Sequence, residues 1–305
     1  MAQIAVILNP LSGHGGAAHM SRWLRRRLSE QLTLLEVSAG IDVATWARRQ
    51  AEAGCERIVV VGGDGTFRSV ASALVGLDVP IGLVATGTNN NISRALGLPP
   101  DPYEATEIAL AEDPEWITAG RVNGYVFFEE ASIGLEAQLW PVGEALVRHR
   151  LREALEAPIA LATNEPTAVE VALTEPAFHE TVAAYTMSIS NIAVTGAHLP
   201  IAPGHDIREP DLWLTVYHEM GPIGMLRSID ELIHHQPVPA QFVSRHPFKR
   251  ARISAADPLP VSADGTKLGT LPIEVEAIPK AIRVVFGEHR AAPAAGLREA
   301  PISAA

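Results

Sequence analysis

Two patterns of apolar positions divide the chain. Up to about residue 115 they come in short unbroken runs, at 4–8, 34–37, 58–61 and 80–85. Runs of that length, rich in β-branched residues and without alternation, suit strands buried on both faces. Between them apolar residues recur at helical spacing over 17–29, 43–53 and 67–74, and in a helix that closes at Gly97. Strands alternating with helices predict an α/β fold built on a parallel, doubly wound sheet. After about Glu115 the runs alternate instead, at 125–128, 168–173, 183–190, 213–217, 252–254, 273–277 and 282–286, separated by Pro, Gly, Asn and Asp. That pattern predicts a second, mostly antiparallel β domain. Two helices are expected within it, at 139–155 and 224–234. The expected boundaries are 1–120 for a nucleotide-binding domain and 121–287 for the β-rich domain. The Ala- and Pro-rich tail, 288–305, has little to bury and is expected to be disordered.

The exits of the early strands carry the candidate chemistry. The run at 58–61 enters Gly62-Gly63-Asp64-Gly65-Thr66 and then a helix. A strand that turns through glycine into a helix exposes backbone N–H groups and a helix N-terminus at one spot, which suits polyphosphate. Asp64 adds a carboxylate where a phosphate would sit. That is repulsive unless a divalent cation or a transferable proton lies between them. The first strand leaves through Asn9-Pro10-Leu11-Ser12-Gly13 and the fourth through Thr86-Gly87-Thr88-Asn89-Asn90-Asn91. In doubly wound sheets ligands bind beyond the carboxyl ends of the strands, so the three turns should meet at one crevice. The local alternative is a tight turn with Asp64 as a cap, and Asn9 and Ser12 as turn and cap residues.

Composition narrows the partners. The chain has 305 residues, 47% of them hydrophobic, enough for two ordinary cores. No apolar run approaches the ~18 residues of a membrane span, and the N-terminus passes straight into a strand, so no signal peptide is expected. The single cysteine, Cys55, rules out an intramolecular disulfide or a cysteine zinc cage and favours the cytoplasm. A net charge of −11 argues against nucleic acid and against membrane binding by the whole surface. Local contact with the inner membrane face stays open, for instance through the apolar face and basic end (Arg148, Arg150, Arg152) of the helix at 139–155. The group Arg22, Arg25, Arg26 and Arg27 reads as a solvated helix face. With three lysines only (Lys249, Lys267, Lys280), phosphate recognition must lean on backbone and arginine. Neither GxxxxGK[ST] nor GxGxxG is present. His198, His205, His218, His234, His235 and His246 form no pair at i, i+4 on a helix with a carboxylate, so zinc is not expected.

Six motifs in order resemble the diacylglycerol kinase catalytic-domain family, which includes bacterial lipid kinases and sphingosine kinases. They are NPLSG at 9–13, GGDGT at 62–66, GTNNNISRALGLP at 87–99, ASIGLEA at 131–137, LPIAPGHDIREPDLWLTVY at 199–217 and VSADGTKLGTLPIEVEAIPKAIRVVF at 261–286. The resemblance spans about residues 3–287. It implies a kinase that moves the γ-phosphoryl of ATP to a diacylglycerol- or sphingosine-like hydroxyl, with Mg²⁺ near Asp64 and the lipid in the β domain. By position, Ser38, Gly62, Gly63, Asp64, Gly65, Thr66, Phe67, Arg68 and Thr88 match the family's nucleotide contacts, joined by Asn9, Ser12 and Asn90 of the shared crevice. Glu209 falls near the family's structural-metal Asp. Asp64, Asp264 and Thr266 fall at its catalytic positions.

The departures lie on the chemistry. The family's DGE, whose Glu is its proposed base, is here Asp264-Gly265-Thr266, and a hydroxyl needs its own activator to act as a base. Arg68 and Ser69 replace an Asn and a Glu, Asn91 replaces an Asp, and Pro210 follows Glu209 in place of Gly. Each change removes or blurs a carboxylate and weakens the hold on metal. Three readings stay open: an active lipid kinase with Asp64 or Asp264 acting as base through a water, a non-catalytic nucleotide or lipid binder, and a soluble-substrate kinase like NAD kinase. Exposed strands of the β domain also allow a homodimer.

Overall fold

A computed structural model describes residues 3–12, 17–29, 32–135, 137, 165–195, 199–218 and 240–288, with 224, 227, 228, 231, 234 and 238 between the last two. The expected helix at 139–155, most of that at 224–234, His198, His235, Gly13 and the tail beyond Glu288 lie outside them. Among the described residues no helix is long and apolar enough to cross a membrane. The chain forms two compact units: the first runs to Ala119 and is resumed at Ile278, and the second spans Gly120–Ala277.

The first unit contains β1 (Ile4–Leu8), α1 (Ala17–Leu28), β2 (Leu32–Glu36), α2 (Val43–Glu52), β3 (Arg57–Gly62), α3 (Asp64–Leu74), β4 (Ile81–Ala85), α4 (Asn91–Ala95) and α5 (Pro102–Ala111). Its strands lie in the order β2-β1-β3-β4, all parallel. Successive side chains in a strand face opposite ways, and here both sets are buried. Val6, Leu8, Val59, Val61 and Val84 pack under Met20, Leu24 and Leu28 of α1 and Ala105 and Ala109 of α5. Their neighbours Ala5, Ile7, Ile58 and Val60 are equally buried, as are Ala47 of α2 and Phe67, Val70, Ala71 and Leu74 of α3. That is why the runs read as continuous rather than alternating. Helix starts follow local chemistry: Asp42 accepts from Thr45 N–H at the head of α2, and Asp101 accepts from Tyr103 and Glu104 N–H ahead of Pro102 at the head of α5. From β1 the order runs outward to β2, then returns past β1 to β3. The exits of β1 and β3 therefore flank the switch point, where such folds bind ligands.

The second unit takes in the end of β5 (Pro114–Val122), β6 (Tyr125–Phe127), β7 (Glu130–Gly134), β8 (Thr167–Thr174), β9 (Phe178–Ser190), β10 (Leu212–His218), β11 (Val243–Phe248), β12 (Arg250–Ala255), β13 (Pro260–Ala263), β14 (Thr266–Thr270) and the start of β15 (Ile273–Val285). The hairpin β5–β6 and the pairings among β7–β14, with β12 against β15, are antiparallel. β9 is the hub: its first half pairs with β8, and its second half lies between β7 and β10. β13 and β14 extend the sheet beyond β7, β12 extends it beyond β8, and β11 borders β10. Alternate residues Val169, Val171 and Leu173, Met187 and Ile189, and Leu212, Leu214 and Val216 build its core with Phe127 and Phe248.

The α/β-plus-antiparallel architecture is the one the two patterns predict. Two details differ. The runs at 273–277 and 282–286 are one strand, β15, which continues through Pro279 and through Lys280 at a positive φ of 51°. Its second half returns to the first unit, where Val284 pairs in parallel with Ile81. The segment 278–287, expected in the β domain, thus completes the first unit's sheet. β7 was read only as part of a motif: all five of its residues are buried, so it shows no alternation.

Candidate functional site

The three glycine- and asparagine-rich turns of the first unit meet at the C-terminal edge of its sheet. Asn9 N–H donates to Val61 O at 2.9 Å, carrying the β1–β3 ladder one residue past the strand. Its side chain then crosses to α3, Asn9 Nδ2 donating to Thr66 Oγ1 at 2.9 Å. Ser12 Oγ donates to Asn9 O at 2.9 Å and shares a 2.6 Å hydrogen bond with Thr86 Oγ1, which joins the first turn to the fourth-strand turn. Thr86 N–H donates to Gly62 O at 2.9 Å. Between the turns after β3 and β4 the main chains touch. A Cβ on Gly87 would lie 2.7 Å from Gly63 Cα, and one on Gly63 would lie 3.1 Å from Gly87 Cα. Neither position has a positive φ, so glycine is required here by contact. At Gly65, in contrast, a Cβ would meet nothing within 4 Å, so the N-terminal turn of α3 is open to a ligand. By helical geometry the amides of Asp64 and Gly65 lack partners within the helix, whereas those of Thr66 and Phe67 donate to Gly63 O at 3.0 and 3.1 Å.

Asp64 opens α3, and its carboxylate spans the head of α4: Oδ2 accepts from Asn91 N–H at 3.2 Å and Oδ1 from Ile92 N–H at 3.3 Å. Burial pushes this carboxyl above its usual range, opposed by the amides of Ile92, Asn91 and Asn90 and by the Arg94 guanidinium. A carboxylate has about four lone-pair sites, so these amides still leave room for a cation. A triphosphate with one divalent ion fits this set of groups: the open glycine turn would take phosphate oxygens, and Asp64 would hold the ion. Among the described residues no group of three or more His, Cys, Asp or Glu could hold a metal. Phosphate oxygens and water would have to complete its shell, as Mg²⁺ prefers.

The other expected nucleotide contacts fall into two sets. Ser38 lies exposed just past the end of β2, on the same edge, and Thr88 is exposed in the fourth-strand turn. Asn90 sits at a positive φ of 53°, its Nδ2 donating to Gly87 O at 2.9 Å, which braces that turn. Arg68 is half-buried on α3, and Ser69 Oγ turns back to Gly65 O at 2.9 Å. The Phe67 ring is fully buried in the core, so only its backbone can serve a ligand. Sequence reading placed Thr86 in a turn but not in contact with Ser12, and the α4 amides that receive Asp64 carry no signal beyond their position.

In the second unit Asp264 and Gly265, with φ of 42° and 74°, form the two-residue turn between β13 and β14, a type I′ hairpin of Asp-Gly. The Asp264 carboxylate accepts three successive amides, Phe128 N–H at 2.9 Å to Oδ2 and Glu129 and Glu130 N–H at 3.0 and 3.1 Å to Oδ1. Its own N–H donates to Glu130 O at 2.9 Å. So much bonding makes Asp264 the clasp of this corner. Thr266 Oγ1 accepts from Tyr125 OH at 3.0 Å. Glu209 Oε2 lies 3.2 Å from Nδ1 of buried His205, and the neighbouring Arg208 guanidinium grips Asp206. Glu209 thus stands beside His205 and the Arg208–Asp206 ion pair, with no group of three ligating side chains around it among the described residues.

Comparison with known proteins follows this division. Residues 3–122 match the model of the diacylglycerol kinase catalytic domain, and residues 132–286 that of the YegS C-terminal NAD kinase beta sandwich-like domain. A diacylglycerol kinase of Mycobacterium tuberculosis is 27% identical over 307 residues, covering 95% of this chain and 96% of the relative. A diacylglycerol kinase of Bacillus subtilis is 24% identical, covering 95% and 98%. The crystal structure of a diacylglycerol kinase from Bacillus anthracis superposes with a TM-score of 0.74 at 18% identity, over 94% of this chain and 97% of that one, which shows the same fold.

Proposed function

The chain belongs to the diacylglycerol kinase family of lipid kinases, and from that premise we propose that it transfers the γ-phosphoryl group of ATP to the hydroxyl of a diacylglycerol- or sphingosine-like lipid, with Mg²⁺ as cofactor. It would work from the cytoplasm, touching the inner membrane face peripherally. The observation that carries this reading is the joining of three turns around the Gly63–Gly87 contact, with the open head of α3 and Asp64 beside it. Phosphoryl transfer asks a protein chiefly to position its reactants and to neutralise charge. Here the Asn9–Thr66 and Ser12–Thr86 bonds hold the turns in place, and the amides at the head of α3 would receive the phosphates. Bound Mg²⁺ would supply charge neutralisation between Asp64 and those phosphates.

The test is direct. Incubated with labelled ATP, Mg²⁺ and a total lipid extract, the protein should label a lipid, and Asp64→Asn should abolish the label. No labelled lipid above that variant's background defeats the proposal. A second reading, a binder without turnover, is favoured by Thr266, whose hydroxyl is engaged by Tyr125 where the family has a carboxylate. Calorimetry showing ATP binding with no transfer to lipid, or to NAD as a soluble acceptor, would support it.

A further inference from the structure

The second unit holds a cleft of about 580 Å³, lined only by its own residues, that phosphoryl transfer does not use. Its floor is one face of β8, β12 and β15. Thr174, Arg250 and Glu276 stand side by side across these strands in one row, and Ala172, Arg252 and Glu274 in the next. Alternation turns Val171, Leu173, Ala251, Ile253, Ile273 and Val275 the other way, into the core. The β5–β6 hairpin borders the cleft and is pinned to its floor. Asn123, at a positive φ of 46° in the hairpin turn, donates its N–H to Glu274 O at 3.0 Å, and its Oδ1 accepts from Glu274 N–H at 2.9 Å. The cleft is therefore framed by main-chain bonds, with charged side chains set into it.

The charges do not cancel. In a chain of net charge −11, three guanidiniums here meet two carboxylates. Arg121 takes Glu276. Arg252 only approaches Glu274, at 3.7 Å, with the two side chains 69% and 78% exposed. The Arg250 guanidinium makes no hydrogen bond or ion pair among the described residues. Glu175 feels its charge, but Lys249 holds that carboxylate at 2.8 Å. Arg250 and Arg252 leave β12 on the same face, roughly 7 Å apart along the strand. A guanidinium fork suits the paired oxygens of phosphate, and a phosphomonoester carries about −1.5 to −2 charges at neutral pH. We infer that this cleft binds a phosphomonoester, its oxygens bridging Arg250 and Arg252. Glu274, released from Arg252, accepts from a hydroxyl or amine on the same molecule. The volume falls within the ~300–1,000 Å³ of small-molecule sites, so there is room for more than the phosphate. Such a group reaches the cleft either free in solution or as the headgroup of a lipid. The site stands whether or not the protein transfers phosphate.

Two binding measurements on the full chain separate the sources: calorimetry with glycerol 3-phosphate, and co-sedimentation with phosphatidylcholine vesicles carrying phosphatidic acid. Binding in either arm should weaken at least about tenfold in Arg250→Gln, with the melting temperature unchanged. Should that variant fail to fold, Arg252→Gln, which removes the second fork, should weaken the same arm by at least about threefold. Phosphate also suits the head of α3, so Gly87→Ala is the counter-variant and should leave this binding within about threefold of wild type. Equal binding by wild type and a folded arginine variant overturns the inference, as does a loss confined to Gly87→Ala. So does binding in neither arm. Equal sedimentation with phosphatidylserine vesicles of matched charge overturns a lipid source for the phosphomonoester, and the inference with it if glycerol 3-phosphate does not bind.

Discussion

Two Asp-Gly pairs in this chain look alike as text and are opposites as structures. Asp64-Gly65 follows a buried β-branched strand and begins a helix, whereas Asp264-Gly265 joins two antiparallel strands. Both aspartates accept main-chain amides. Asp64 takes those of Asn91 and Ile92, with that of Asn90 beside them, at the head of a short helix. Asp264 takes three, from a single bend at Phe128–Glu130, and ties that bend to its hairpin. Their glycines differ as well. Gly265 is needed for its positive φ, Gly63 and Gly87 because two main chains touch. The same dipeptide therefore marks an open, helix-starting turn in one unit and a structural clasp in the other. What decides between them is the flanking pattern, continuous in the first and alternating in the second.

The sharpest way to break this comparison is to remove the clasp. Asp264→Ala should orphan three amides at ~1–3 kcal/mol each. The stability read from urea unfolding, followed by far-UV circular dichroism, should then fall by at least ~3 kcal/mol. A loss below ~1 kcal/mol would show that Asp264 is not the clasp. Next comes Gly87→Ala. A Cβ 2.7 Å from Gly63 Cα must push the two turns apart, so ATP affinity should drop at least tenfold, with stability down by ~1–3 kcal/mol; calorimetry and melting measure the two. The smallest effect concerns pH. Burial raises the folded-state pKa of Asp64 above its unfolded value, so the buried charge destabilises the fold above both values. That penalty should shrink as pH falls below the folded pKa and be gone below the unfolded one. The melting temperature of wild type minus that of Asp64→Asn should therefore rise on acidification over that window, and a flat difference would contradict the burial.

What could be read in advance was local. Continuous apolar runs gave the first unit's strands, because helices cover both faces, and alternation gave most of the second unit's. The start of α3 at Asp64, earlier than the apolar spacing suggests, follows from Gly63 staying extended at φ −93° and ψ −177° as its N-cap. What could not be read was the pairing of distant residues. Nothing near Ser12 announces Thr86, 74 positions on, and nothing near Asp264 announces amides some 135 positions earlier. The motif at 264–266 was legible as text, and only its hydrogen bonds reveal that Asp264 is occupied.

The last strand has a consequence for biosynthesis. β4 gains its outer neighbour only when Val284 arrives, and Gly76 N–H and Asp78 wait for Ala281 O and Arg283 on the same segment. The ribosome therefore releases the entire β-rich unit before the first unit's sheet can close. Until then β4 presents an unpaired edge, open to other nascent chains. A fragment ended at Ala119 would keep that edge permanently.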